Sequence, residues 1–501
     1  MRSNRIFRIL FFSIALVMSM AVFFITTAIH HQQCMGVKVI GEADLADYER
    51  SLTVDLSTLT FCGEPVAADN GLNTIYLSQP EKNMAHFSRL MGKLASTNGH
   101  QLFWIQTDAL NNLPAAVANG TTLRLAVVNG NNYAEVQVVL STLPVLRLES
   151  QEDAGSTFSG FPITGGKITL FAGYDLSTGA LSVRSYSATW HKRGVYSASL
   201  DKYPLKLALK AGDGSNLNAN LLGMGADDDW ILNSMRIDDT KMREKIIMDS
   251  WNQYVATPQL RMSTGEYVEV VMDNRYCGLY LLQRRVDAKY LQLDRTKDIL
   301  FKGFNTWSAE SYQEAYEIVD TPTWREASYI ILADVLDHNR YDLENYADVN
   351  VLIHFLRAED NVSYKNMFYL LRQTEDGYRM QLIPWDTDCS MGLTFVPDVG
   401  IETDFQYTLD TDKFRNDYSR LTEIYPQLPQ ICAQRWKALR STMYDPDRLE
   451  AMIRSYQALL ESSGAYQRDI QRWGLWSEND TWDMLIRWCN GRIERLDEYY
   501  K

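Results

Sequence analysis

Asp386 and Asp388 stand two residues apart in the run QLIPWDTDCSMG, Gln381 to Gly392, where an apolar strand-like stretch ends in Pro-Trp. Two carboxylates so close repel each other, and proteins keep such pairs where a cation or a hydrogen-bond network offsets the charge. Upstream, RAEDNVSYKNMFYL supplies Asp360 and, six residues on, Asn366. Between these groups, NMFYLLRQTEDGYRMQLIPWD reads as two strands turning at Glu375-Asp376-Gly377. A hairpin brings the start of its first strand beside the end of its second. Asp360, Asn366, Asp386 and Asp388 are therefore expected to meet at one end of it. One Asp that accepts a hydroxyl proton, with an Asn and a second Asp that hold Mg²⁺, is the logic of phosphoryl transfer. Oxygen donors of this kind suit Mg²⁺ or Mn²⁺. The competing reading is that these residues only cap turns. A Gly-rich phosphate loop, His-Arg-Asp and Asp-Phe-Gly are all missing.

The elements that must position these residues are legible from periodicity. From Leu52 to Glu152 short β-like runs alternate with turns, and LRLAVVNGNNYAEVQVVL carries a hairpin signal at Asn129-Gly130-Asn131-Asn132. FSRLMGKLAS, from Phe87, reads as a helix, and SQEDAGSTFSG, Ser150 to Gly160, as a linker. KITLFAG, LSVRSYSATW and YPLKLALK read as strands, and the stretch from ADDDWILNSM to SWNQYV as helical. GEYVEVVMDNRYCGLYLLQRRV is a strand pair turning at Asp273-Asn274-Arg275. Thr323 to Leu356 and the last hundred residues read as helices.

Together the ordered motifs resemble the spore-coat protein H (CotH) kinase family, a set of atypical protein kinases. Its signature of an Asp, a nearby Asn, a strand and then Ile-Pro-Trp-Asp-x-Asp is matched by Asp360, Asn366, Ile383, Pro384, Trp385, Asp386 and Asp388. DDTKMREK, with Asp238, Met242 and Arg243, NRYCGLYLLQRRVD and KYPLKLAL extend the resemblance, which covers Lys167 to Gly392. It implies an α+β, atypical kinase-like two-lobed domain with a helical C-terminal extension. It also implies ATP as substrate, with Mg²⁺ or Mn²⁺. Asp360 would be the catalytic Asp. Asn366 and Asp386 would hold the metal, with Asp388 supporting them or binding a second ion. Lys206 first, and Lys202 second, would neutralise the nucleotide phosphates, and Arg243 would brace the site. The family's Arg-Gly-x-Ser element is matched to Arg184 with Ser185 in place of the Gly, and its later Glu to Arg284. Ser185 would hinder close approach of phosphate to the backbone, and Arg284 would reverse a charge. The implied activity is transfer of the ATP γ-phosphoryl group to Ser or Thr of extracytoplasmic or envelope proteins. The alternative is a catalytically weak or inactive scaffold or adhesion protein in cell-surface or spore-coat assembly.

The 501 residues allow two or three domains, here expected as 1–30 cytoplasmic tail and transmembrane signal anchor, 31–51 stalk, 52–152 a small sandwich-like β domain, and 160–501 the kinase-like domain. Arg2, Arg5 and Arg8 precede an uncharged run from Ile9 to Ile29, long enough to cross a bilayer. A single-pass protein with its main body outside the cytoplasm is expected, with secretion after signal cleavage as the alternative. The formal charge of −14 excludes a general nucleic-acid binder and leaves protein partners and the membrane. Six cysteines lack metal-ligand spacing; Cys34–Cys62 or Cys432–Cys489 disulfides and free thiols stay equally open.

Overall fold

Residues 38–61, 63–78, 92–158, 160–175, 180–304, 309–358, 360–361, 365–396, 400–403 and 418–501 are described in a computed structural model of the chain. The expected membrane segment, Cys34, Cys62 and residues 87–91 of the expected helix lie outside them. Among the described residues no helix is long and apolar enough to cross a membrane. The end of that expected helix is instead a strand, Leu94–Ser96.

Alternation in TLRLAVV and AEVQVVL produces the hairpin of the first sheet, which pairs Asn129 with Asn132 across a two-residue turn. The sheet contains β1 (Lys38–Ile40), β2 (Ala67–Asp69), β3 (Thr74–Ser78), β4 (Gln101–Ile105), β5 (Leu123–Asn129) and β6 (Asn132–Ser141). The spatial order is β1-β4-β5-β6-β3-β2. Two of its pairings, β1 with β4 and β3 with β6, are parallel.

A seven-stranded closed barrel follows: β7 (Val145–Phe158), β8 (Phe161–Asp175), β9 (Ala180–Lys192), β10 (Leu205–Lys210), β11 (Asp229–Asn233), β12 (Gly265–Met272) and β13 (Arg275–Arg284). The parallel pairing of β7 with β12 closes it. Two expectations are corrected here. The expected linker Ser150–Gly160 is not one: Ser150–Phe158 forms the distal part of β7 in the long β7–β8 hairpin, with Phe158 paired to Phe161. DWILN is not helical: it is β11, whose Trp230 and Leu232 fill the barrel while Ile231 faces out. The helix begins only at α1, Arg243–Tyr254.

A four-stranded sheet packs beyond α1. It contains β14 (Ile299–Gly303), β15 (Tyr316–Asp320), β16 (Met367–Thr374) and β17 (Gly377–Pro384), in the order β15-β14-β16-β17. Its two faces feed different cores, as a period of two requires. Ile299, Phe301, Tyr369 and Leu382 join the large helical core, while Leu300, Phe368, Leu370 and Ile383 pack with barrel-side residues such as Ile231 and Val286. The helical core is completed by α2 (Arg325–Asp337), α3 (Leu343–Leu356), α4 (Tyr418–Ile424), α5 (Leu428–Leu439), α6 (Pro446–Ser462), α7 (Ala465–Trp473) and α8 (Trp482–Tyr499). Cys277, Cys389, Cys432 and Cys489 are free thiols, so the Cys432–Cys489 disulfide is not formed.

Helix α7 approaches β13 closely enough that a Cβ at Gly278 would lie 2.2 Å from Asp469 Oδ1. That approach lets Asp469 accept from the Leu279 amide at 2.9 Å and from Lys202 Nζ at 2.7 Å. Lys202 is fully buried and also donates to the Leu279 carbonyl at 2.6 Å. The lysine expected second at the phosphates is thus an internal pin between barrel and helix.

Candidate active site

The β16–β17 hairpin does what its sequence predicts, turning between Thr374 and Gly377 and placing Met367 opposite Pro384. Its open end is tied by Asn361, whose side-chain amide donates to the carbonyls of Asn366, at 2.9 Å, and Trp385, at 2.8 Å. Asp360 sits just outside this tie. Its carboxylate accepts from Asn366 Nδ2 at 2.6 Å and pairs with Lys365. Burial pushes the Asp360 carboxyl above its ordinary range, with Lys365 opposing and Asp386 adding to the rise.

Asn366 and Asp386 both adopt left-handed backbone, with φ of 51° and 56°. Asn and Asp tolerate that region better than other non-glycine residues. The turn sends the chain after Trp385 back toward α1, and Asp386 and Asp388 there meet a third carboxylate, Glu244. Ligand oxygens of the three lie within 4.8 Å of one another. Glu244 is in the first turn of α1 and buried, held by Asn233 Nδ2 at 2.5 Å. No motif of the sequence marks it. Its only local signal is an acid beside Arg243 at a helix start, 142 residues before Asp386.

Glu244 and Asp388 carry their charge badly. Burial, then Asp386, raises the Glu244 carboxyl to about 7. Burial, then Asp386, Glu244 and Asp360, raises Asp388 well above the carboxylate range. Among the described residues none of Glu244, Asp386 and Asp388 has a Lys or Arg nitrogen within 4.0 Å. The Thr387 hydroxyl between the two aspartates is buried without a partner. An all-oxygen donor set with excess negative charge fits a hard divalent cation, and Glu244, Asp386 and Asp388 would hold it.

The sign of the Glu244 shift gives a test. A carboxyl raised in the folded state binds its proton more tightly there than in the unfolded chain. The stability this confers is present at low pH and is lost as pH rises from the ordinary Glu range to about 7. In chelator the melting temperature should therefore fall across that interval. Saturating Mg²⁺ should reverse the slope, because it competes with the same proton. Thermal denaturation from pH 4.5 to 8 with and without Mg²⁺ checks both signs.

The remaining expected residues are placed differently. Arg243 is fully buried. Its guanidinium meets Asp238, Asp480 Oδ1 at 2.7 Å, and the carbonyls of Ser390 at 3.1 Å and Met391 at 3.2 Å. It braces the Asp386–Gly392 turn from behind and has no face left for a nucleotide. Lys206 does point out of the barrel, in the row His191, Lys206, Ile231, Gln283, but its ammonium lies 3.2 Å from Asp229, which also takes Arg285 at 2.8 Å. Arg284 introduces no unpaired charge. It is bound to Asp227 at 2.6 Å.

Two cations missed by the sequence reading do approach the acids. Arg193, after β9, and Lys302, on β14, each lie 5.8 Å from the Trp385 ring centroid. Burial, then Arg193, lowers the Lys302 ammonium, and Asp386 opposes the shift. The presence of Arg193 also corrects the reading of Arg184 and Ser185. Ser185 is an ordinary β9 residue whose hydroxyl lies 2.9 Å from that of Thr169. An intact Arg-Gly pair stands at Arg193-Gly194, with Gly194 at φ +85° and its Cβ position 2.1 Å from Ser197 Oγ. Gly194→Ala should lower stability by about 1–2 kcal/mol from the left-handed backbone alone. Urea denaturation would read this, and an unchanged midpoint would mean that the loop relaxes to negative φ.

A family model described as CotH kinase protein matches residues 191–496, well over half of the chain. No curated protein matches it. The matched stretch starts just before Arg193 and excludes Arg184 and Ser185.

Proposed function

The chain belongs to the CotH kinase protein family, and on that premise we propose that it is an atypical two-lobed kinase. It transfers the ATP γ-phosphoryl group to Ser or Thr of extracytoplasmic or envelope proteins, anchored in the membrane through Ile9 to Ile29. The observation that carries the reading is the convergence of Glu244, Asp386 and Asp388 within 4.8 Å, with Asp360 beside them. The three acids would hold Mg²⁺ or Mn²⁺, whose chemistry when bound is to offset charge on the phosphoryl oxygens. Asp360 accepts the proton of the acceptor hydroxyl as its oxygen bonds to the γ-phosphorus and the bond to the leaving ADP breaks. Asn366 fixes the Asp360 carboxylate by its 2.6 Å hydrogen bond and would add its amide oxygen to the donor set when the metal is bound. Positioning and charge neutralisation supply most of the rate.

The test is phosphate incorporation into Ser/Thr-rich acceptor proteins with ATP and Mg²⁺ or Mn²⁺, read by intact mass. Incorporation should be lost in Asp360→Asn and Asp386→Asn. One observation favours the scaffold alternative: the two lysines expected at the phosphates are committed to Asp469 and Asp229. A scaffold would show no incorporation in any form and would keep its partner after Asp386→Asn.

A further inference from the structure

A cavity of about 220 Å³ opens at the C-terminal end of α1, where that helix meets the first turns of α3, strand β17 and the end of α5. Glu244 stands in the first turn of α1, roughly 15 Å back along the helix at 1.5 Å per residue. The cavity is therefore separate from the acidic turn. Trp251, Leu439 and Met443, all buried, give it an apolar lining. A protein cavity of about 150 Å³ takes benzene, so this one has room for a ring with a short side chain.

The polar part of the lining is rich in acceptors. Asp342, Glu344 and Asp348 bring carboxylates, and Arg435 brings a guanidinium. That guanidinium is already committed, 2.6 Å from Asp348 and 2.7 Å from Glu344. A second cation, Arg448, lies 5.1 Å from the centroid of the Tyr254 ring, and with it counted the carboxylates still outnumber the cations three to two. The acids feel one another. Burial raises the Asp348 carboxyl, Arg435 opposes the shift, and Glu344 and Asp342 add to it. The N-terminus of α3 would by itself attract an anion. Here Asp342 caps it, accepting from the Asn345 amide at 3.2 Å, and Glu344 stands in its first turn.

Three residues of the same lining carry polar atoms that no group of the protein meets among the described residues: Tyr254 Oη, Thr257 Oγ1 and Gln381 Oε1. The sense of the Gln381 amide is fixed. Its Nε2 donates to Asp342 at 2.8 Å, and a carboxylate only accepts, so the carbonyl end is the one left over. These atoms are buried in the wall, where an unmet polar group costs about 1–3 kcal/mol. What the lining lacks is a donor that carries positive charge. We propose that this cavity binds a small organic cation, a primary ammonium on an apolar body. The ammonium brings three donors and one charge, and the body fills the space beside Trp251, Leu439 and Met443. An organic anion would meet an excess of carboxylates, and a neutral apolar molecule would leave those acids uncompensated. The proposal depends on neither the metal cluster nor the kinase reading.

The experiment is calorimetric titration of the full chain, in mild detergent and saturating Mg²⁺, with phenethylamine, phenethyl alcohol and phenylacetate. The Mg²⁺ keeps the amine off Glu244, Asp386 and Asp388. The three probes share one ring and differ in the charge of the end group. The amine should bind about tenfold more tightly than the alcohol, the worth of one charge-assisted hydrogen bond, and phenylacetate should not bind. Met443→Trp fills the cavity and should abolish amine binding, with circular dichroism to confirm folding. The comparison of probes on the wild type decides the question even if that variant misfolds. No binding at millimolar amine, equal binding of amine and alcohol, or undiminished amine binding by a folded Met443→Trp would overturn the proposal.

Discussion

Asp388→Asn should raise the melting temperature of the metal-free protein and abolish its response to Mg²⁺. Asp388 is pushed well above the carboxylate range by burial and by Asp386, Glu244 and Asp360. Near neutral pH the folded protein therefore bears the cost of this group. An isosteric amide removes that cost while keeping hydrogen-bonding atoms. Holding this half-buried carboxyl among the other acids costs stability whether it takes up a proton or stays charged, so a gain on the order of 1 kcal/mol, or a degree or two, is expected. The cation loses one of three carboxylates, and its affinity should fall by about 100-fold or more, since even outer-shell changes reach that size. Melting curves in chelator and in Mg²⁺ read both effects. Equal destabilisation under both conditions would mean that Asp388 is a structural hydrogen-bonding residue and not a ligand.

Arg243→Ala should cost about 3–5 kcal/mol, the range found when one partner of a buried ion pair is removed. The guanidinium is fully buried between Asp238 and Asp480 and also donates to the Ser390 and Met391 carbonyls. Its loss strands two buried carboxylates and frees the turn that carries Asp386 and Asp388. Met391 and Gly392 in that turn have φ of 46° and 95°, so the turn is not self-supporting. Arg243→Lys keeps the charge but cannot reach both acids and both carbonyls as a planar fork does. It should recover only part of the loss. Urea denaturation of the three forms orders them. If Arg243→Lys matched the wild type, the brace would be purely electrostatic.

The hairpin and its four polar residues were legible because everything that brings them together is local. Alternation from Met367 to Pro384 and the Glu375-Asp376-Gly377 turn fix the register, and register fixes which ends meet. Glu244 was not legible, because it meets Asp386 only through the packing of α1 between barrel and second sheet. Arg193 and Lys302 share that fate: one ends a barrel strand and the other lies on β14. Lys202 and Lys206 show the reverse error. Lys206 lies on the expected strand, whereas Lys202 precedes it, since the strand starts at Leu205, and the Asp469 that holds Lys202 comes from α7, 267 residues away, which no spacing rule announces. SQEDAGSTFSG has a loop-like composition, although the backbone continues the β7–β8 ladder there. DWILN stands close before a true helix, which masks its strand pattern, although Trp230 and Leu232 alternate with Ile231 as a strand should.

The most direct test of a metal-dependent nucleotide site is the thermal shift of the protein with ATP, with and without Mg²⁺ or Mn²⁺, beside Asp386→Asn. A large stabilisation by ATP with metal in the wild type, lost in a folded Asp386→Asn, is the predicted result. No metal-dependent shift at millimolar ATP, or one that survives Asp386→Asn, would contradict it.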